Sequence, residues 1–357
     1  MAVALAAMFV GLVLAPTASA TSDPLASGTT NLYLKKGFKT KLSNNDVSIK
    51  KWGSGAVRNK SVVDLPVSGG SMDPTTGQGT VDTGGGFKFK HRKRAVPVTE
   101  MEIDTTRKSV FAKVAGAKMK FGFLAGTASF FRNGFGVDVK STQVKLTGKA
   151  AKRINSKLGL ADEKPFKGGN VMSNSYSATQ PSTVTILPTN SATLAGNVGT
   201  LGKFATKGIN PFTQITAIAP ASKPTVTSFN LPISGGTVAP DLSSGTLNTS
   251  GGVQIEKTAG ATMQLTNIGI DLGTKVALTD LTILPTPGNA GRASIADIVM
   301  TGATVVIDPA TRTFTVSGAV ANVQAVAAAT LNTTFPGGTD FVAGDPFGTF
   351  SFVAQAQ

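Results

Sequence analysis

Apolar and polar residues alternate over short runs along most of this chain, and glycines interrupt the runs every few residues. In Val96–Ile103 the residues Thr99, Met101 and Ile103 fall on one side and Glu100 and Glu102 on the other. That is the period-two pattern of a half-buried strand. Met119, Phe121 and Phe123 repeat it against Lys118 and Lys120. Further strands are expected at Val62–Val67, at Thr80–Phe89 (loosened by Gly84, Gly85 and Gly86), and at Val110–Val114. Val137–Val139 and Val144–Leu146 read as a hairpin, and Ser182–Leu187 as a closing strand. Ser68–Gly77 reads as a turn-rich connection. Helical spacing is rare. Lys149–Leu160 shows it, with Ala150, Ala151, Ile154 and Leu158 on one side and Lys149, Lys152, Arg153 and Lys157 mostly outside that stripe.

The pattern occurs twice. Leu65-Pro66-Val67-Ser68-Gly69-Gly70 returns as Leu231-Pro232-Ile233-Ser234-Gly235-Gly236, an offset of 166 residues. At the same offset Phe38 meets Phe204, Pro74 meets Pro240 and Gly85-Gly86 meets Gly251-Gly252. Thr99, Ile103, Asp104 and Lys108 meet Thr266, Ile270, Asp271 and Lys275 one residue further on, and Phe166 with Gly168-Gly169 meets Phe335 with Gly337-Gly338. A period this long makes each copy a domain rather than a solenoid unit. The second copy closes on Thr349–Val353, and its Ala319–Leu331 suits a helix or a strand. The expected fold is all-β: two tandem antiparallel β-sandwich-like domains, each with a short helix near its C-terminal end. The expected boundaries are 1–20 for a signal peptide, 21–31 for a Ser/Thr/Gly-rich flexible lead-in, 32–188 for the first domain and 189–357 for the second.

The signal peptide rests on the short apolar run Ala2–Leu14 and the small-x-small site Ala18-Ser19-Ala20. No later stretch is apolar enough to span a membrane. The chain has no cysteine. Disulfides and thiol chemistry are thereby excluded, and each domain must stand on its own core. The expected location is outside the cell, secreted or wall-associated.

What the copies share is mostly glycine, proline and apolar residues, which concern the fold. They differ in charge. Ser22–Pro188 holds 27 Lys and Arg against 11 Asp and Glu, a net of +16; from Thr189 onward the net is −1. The densest run is Lys88-Phe89-Lys90-His91-Arg92-Lys93-Arg94, where the second copy has Gln254-Ile255-Glu256-Lys257. One reading is a site for a polyanion: an acidic wall polymer, an anionic surface or an anionic small ligand. The other is a solvated hairpin tip. Nucleic acid is not favoured, because aromatic residues for base stacking are few and Phe87 and Phe89 read as core.

Catalytic chemistry is hard to find. His91 is the single histidine, which leaves no His-pair metal site and no Ser-His triad. Glu100 and Glu102 read as a surface strand face, and Asp104/Asp271 and Asp138/Asp308 as turn-forming aspartates after strands. Gly84-Gly85-Gly86 lacks the Lys-Ser/Thr and the helix of a phosphate loop. The chain reads as a non-enzyme without a metal site.

Gly37-Phe38-Lys39, Gly69-Gly70-Ser71-Met72-Asp73-Pro74, Gly79-Thr80-Val81, a polar hairpin bearing a histidine, and a Phe-x-Gly-Gly tail together resemble the HtaA domain of secreted and surface haem-acquisition proteins of actinobacteria. The resemblance covers both copies and implies a two-layer antiparallel β-fold. It also implies a haem site with a tyrosine ligand supported by a histidine. Here Lys41 stands at the family's ligand position, Tyr33 lies on the other side of Phe38, and His91 falls at or next to the family's histidine. The second copy has neither Tyr nor His. Haem is therefore the alternative ligand, confined to the first copy, with Tyr33 or His91 as weak candidates for the iron and Lys88, Lys90 or Arg92 for its carboxylates. The leading expectation is a non-enzymatic, envelope-associated binding protein whose basic first domain engages an anionic polymer or surface. Its candidate residues are Tyr33, Lys41, Lys88, Lys90, His91, Arg92, Lys93 and Arg94.

Overall fold

The computed structural model describes residues 22–258, 260–285 and 289–357. The expected signal peptide lies outside the described residues. In chain order the first half runs β1 (Asp23–Leu34), α1 (Lys36–Ser43), β2 (Val47–Trp52), β3 (Ala56–Arg58), β4 (Val62–Met72), β5 (Gly79–Thr83) and β6 (Gly86–His91). It continues with β7 (Arg94–Asp104), β8 (Ser109–Val114), β9 (Ala117–Ala125), β10 (Ser129–Asn133), β11 (Gly136–Leu146), α2 (Gly148–Leu158) and β12 (Val171–Pro181). The second half runs β13 (Val184–Thr185), β14 (Ser191–Gly196), α3 (Val198–Thr206), β15 (Ile215–Ile218), β16 (Ser222–Thr225), β17 (Ser228–Val238), β18 (Gly245–Thr249) and β19 (Gly252–Glu256). It ends with β20 (Thr262–Asp271), β21 (Val276–Leu284), β22 (Asn289–Val299), β23 (Thr304–Asp308), β24 (Thr313–Val323), α4 (Ala325–Thr334) and β25 (Pro346–Gln355).

The antiparallel pairings close on themselves in each half. In the first, β7-β5-β4-β1-β12-β11-β9-β8 returns to β7; in the second, β20-β18-β17-β14-β25-β24-β22-β21 returns to β20. The two expected layers are thus the opposite walls of a closed ring, which leaves few open edges. A flap lies beside each ring: β6 pairs β7 and carries β2, while β19 pairs β20 and carries β15. Shared glycines take the left-handed backbone in both copies, as at Gly85 (φ 68°) and Gly251 (φ 75°). A Cβ on Gly85 would come within 2.4 Å of the Gly55 backbone nitrogen, so only glycine fits that turn.

Several sequence expectations change. Asp23–Leu34 is no flexible lead-in but a strand hydrogen-bonded on both sides, to β4 and β12. Its inward residues Leu25, Thr30, Leu32 and Leu34 are buried. The first ring is closed by β12 rather than by Ser182–Leu187, and Val184–Thr185 pairs with β17 of the second ring. Strand β4 runs on through Ser68–Met72, so the turn-rich connection begins only at Asp73. Thr80–Phe89 is two strands, β5 and β6, divided at Gly84-Gly85. The Ala319–Leu331 stretch is strand to Val323 and helix from Ala325. Helices α1 and α3 were not legible as helices.

Strand β7 does not keep one face throughout. Val96, Val98, Met101 and Ile103 are all buried, because a bulge at Glu100 (φ 48°) switches the face between Val98 and Met101. Asn267 (φ 51°) makes the same bulge in β20. The tail match also shifts. Asn155 of α2 donates from Nδ2 to the Phe166 carbonyl and accepts the Phe166 N–H, and Asn332 of α4 does the same to Phe341 rather than Phe335.

The first core is aromatic. Phe38, Phe87, Phe89, Phe121 and Phe166 are buried together, with neighbouring ring centroids 5.4–6.4 Å apart. The halves meet through Phe135, which is buried in the second half's core and stacks on Phe314 with centroids 4.8 Å apart. Beside that stack Arg312 pairs with Asp23 at 3.3 Å, both side chains almost wholly buried.

Candidate functional site

The charged run of the first copy falls on the flap, and strand alternation divides it. Phe87, Phe89 and His91 point inward and are buried, while Lys88 and Lys90 point outward. Register places Lys50 directly opposite Lys88 and Ser48 opposite Lys90. Trp52, 42% exposed, shares this outer face, and the Lys88 ammonium sits 5.0 Å from its ring centroid. Arg92 and Lys93 form the two-residue turn at the flap's tip, both exposed. No ion pair among the described residues engages Lys50, Lys88, Lys90, Arg92 or Lys93.

Two members of the run have other work. His91 Nδ1 lies 3.2 Å from the Leu158 carbonyl, so it carries the proton and donates to the last turn of α2. The Arg94 guanidinium packs against Gly159, whose left-handed backbone (φ 76°) caps the same helix; a Cβ there would meet Arg94 at 2.0 Å. Both basic groups complement the negative end of the helix. The expected site therefore loses His91 and Arg94 and gains Lys50 and Trp52. Their cross-strand positions were the missed signal: with the flap register known, alternation puts Lys50 and Trp52 beside Lys88.

The second copy builds the same flap with different side chains. Thr216 opposes Gln254 where Lys50 opposes Lys88, and Ile218 stands where Trp52 stands. Glu256 is the counterpart of Lys90 at the repeat offset. The backbone is thus indifferent to the cations, and the fold does not require them.

Lys41 is not free. Its Nζ donates to Asn170 Oδ1 at 3.0 Å, tying α1 to the loop before β12. Its counterpart Lys207 is buried, donates to the Gly337 carbonyl and Asp340 Oδ1, and lies over the Phe341 ring. Each lysine fastens a helix to the loop that follows the second helix.

Tyr33 stands elsewhere, on the outer face of β1, four strand pairings from β6. There it meets Tyr176 of β12, the only other tyrosine in the chain. Phe131, Lys140, Asn174 and Ser175 complete an open cleft of about 470 Å³ around them. The Tyr176 hydroxyl donates to Asp138 Oδ2 at 2.5 Å, and that hydrogen bond, with burial and the carboxylate's charge, pushes Tyr176 above the ordinary phenol range. Asp138 is therefore a mid-strand acceptor and not a turn former. Asp308 does form a turn, accepting from the Ala310 and Thr311 N–H groups, and Asp104 and Asp271 likewise accept N–H groups of the residues after them. Tyr33 is exposed on β1 while His91 is buried on β6, four pairings away, so this pair does not form a tyrosine ligand with its supporting histidine.

The candidate site is thus a cationic β-flap on a closed antiparallel ring, repeated once without its charge. No family model matches the chain, and no curated protein matches it. Among solved structures the chain is similar to the C-terminal domain of HtaA from Corynebacterium glutamicum, at 15% identity and a TM-score of 0.34, over 44% of this chain and 99% of that one. A domain-swapped dimeric variant of the same domain is similar at 15% identity and a TM-score of 0.29, over 40% of this chain and 90% of that one.

Proposed function

We propose that the chain is a non-enzymatic binding protein of the cell exterior, whose first domain holds an anionic polymer or surface on the flap face built by Lys50, Lys88, Lys90 and Trp52. The observation that carries this reading is the contrast between the copies. Lys50 and Lys88 oppose each other across two strands, an arrangement that works against stability, and the second copy replaces both with neutral residues. A polymer carrying phosphates or carboxylates would neutralise the pair and extend to Arg92 and Lys93 at the tip. Trp52 would offer a flat apolar contact beside the charges. A domain boundary between β12 and β13, a few residues before the expected 188/189, suits this reading, with the second ring acting as a spacer joined through Phe135 and Asp23. The apolar run Ala2–Leu14 and the small-x-small site Ala18-Ser19-Ala20, read as a signal peptide over residues 1–20, support the location.

The test is retention of the full chain on an anionic matrix. The expected result is retention at low salt that the triple variant Lys50→Thr, Lys88→Gln, Lys90→Glu loses. Undiminished retention of the variant would sink the reading. The haem alternative draws no support from Tyr33 and His91, which stand apart on β1 and β6.

A further inference from the structure

We propose that the second domain binds a single alkyl chain in a cavity beneath α4, with the chain's head group left in water at Val326.

The cavity measures about 60 Å³ and lies between α4 and the β20-β21-β22 wall of the second ring. Ala293, Ile295, Leu331 and Phe347 line it, and apart from the hydroxyls of Ser294 and Thr330 every lining side chain is apolar. Cavities of this kind stay dry and take apolar guests. On the scale where one water needs roughly 10–15 Å³, it has room for about four water-sized groups, a short stretch of hydrocarbon. Two smaller cavities of about 30 and 20 Å³ continue it inward. The larger of these shares Leu265, Ile295 and Phe347 with it, and the smaller shares Leu194, Val253 and Phe347 with the larger. Among the described residues no charged side chain lines any of them. A row of narrow apolar spaces along one wall suits a linear chain and not a compact ring.

The first copy shows that the fold does not dictate this cavity. Asn155 and Asn332 occupy the same place in their helices, so Arg153 is the counterpart of Thr330, and Lys149 of Val326. Arg153 lies across the wall and donates from Nε and Nη2 to the Val114 and Ala115 carbonyls at 2.7 and 3.0 Å. Strand register makes Met119 and Phe121 of β9 the counterparts of Ala293 and Ile295 of β22. The second copy thus carries smaller side chains at Ala293, Ile295 and Thr330. Met263 and Leu265 stand where the first copy has Val96 and Val98, and the cavity persists beside them. The way in differs too. Helix α2 exposes Lys149, Lys152 and Lys157, whereas α4 carries no charge and leaves Val326 70% exposed at the rim. A hydrocarbon enters there without desolvating a charge.

The experiment is NMR of the full, methyl-labelled chain with n-octanol, alongside sedimentation with phosphatidylcholine vesicles. Saturable binding is expected, with nuclear Overhauser effects from the octanol methyl to the Ala293 and Ile295 methyls. Restoring the first copy's side chains, by Ala293→Met or Thr330→Arg, is expected to raise Kd at least tenfold, and the flap variant Lys88→Gln to leave it unchanged. Co-sedimentation that Thr330→Arg abolishes would name a bilayer lipid as the source of the chain; octanol binding without it would name a free amphiphile. No saturable octanol binding, Overhauser effects confined to other methyls, or affinity unchanged in both cavity variants would overturn the proposal. The first two of these are read on the parent protein and stand even where a variant fails to fold.

Discussion

Lys50 and Lys88 face each other across β2 and β6, both outside the core and neither in an ion pair among the described residues. Opposed like charges destabilise a strand pair by roughly 0.2–1 kcal/mol. Replacing them with their second-copy counterparts, Lys50→Thr and Lys88→Gln, is therefore expected to raise the melting temperature at low salt. The gain should vanish near 1 M salt, where screening acts over about 3 Å. Calorimetric scans at the two salt concentrations check this, and a stability loss at low salt would mean the lysines serve the fold.

Asp23 and Arg312 join the halves through a buried pair, with Asp23 also accepting the Thr185 N–H. Removing one partner strands the other charge away from water. Asp23→Ala is expected to lose about 3–5 kcal/mol in urea unfolding. A loss below about 1 kcal/mol, the ceiling for exposed pairs, would show that water reaches Arg312.

The repeat was legible in the chain because it is carried by glycines whose backbone no other residue adopts cheaply, as at Gly85 and Gly251. The rings' closure was not. Strand β12 turns Ser173, Ser175, Ser177 and Thr179 inward, and Thr30 of β1 meets Ser177 at 2.9 Å between hydroxyl oxygens. A polar inward face erases the apolar alternation that marks a strand, which hides β12, while in β1 the alternating leucines Leu32 and Leu34 come only after the Ser/Thr/Gly-rich stretch Ala26–Thr30. The bulge at Glu100 broke the alternation in a second way. Of the candidate site, Lys88, Lys90, Arg92 and Lys93 were visible as a run, whereas Lys50, Trp52 and the whole tyrosine cleft depend on pairings far apart in sequence.

Asp345 ties α3 to the loop before β25. Burial pushes its carboxyl up, but hydrogen bonds from Lys203 and the Val342 N–H outweigh that and hold it below the usual range. A depressed folded value means the contribution is complete above about pH 3.9 and is lost as pH falls through the folded pKa. Asp345→Asn should therefore be less stable than the parent at pH 6, with the gap closing towards pH 2.5. Thermal melts across that range check it; a constant gap would remove the titration from the account.

Haem titration followed at the Soret band is expected to show no tight, stoichiometric complex. His91 is buried on the inner face of the flap, and Lys41 Nζ donates to Asn170, whereas a ligand must be free to reach the iron. A tight complex abolished by Tyr33→Ala would contradict this and place haem in the tyrosine cleft.

The central claim is that the flap of the first copy binds polyanions through charge that the fold does not need. Its most direct measurement is the affinity of the full chain for polyphosphate across a salt series. Counterion release predicts a linear fall of log K with log salt. The account predicts that exchanging Lys50, Lys88 and Lys90 for Thr, Gln and Glu weakens binding at least tenfold at low salt and flattens that slope. An unchanged affinity and slope in this variant would contradict it.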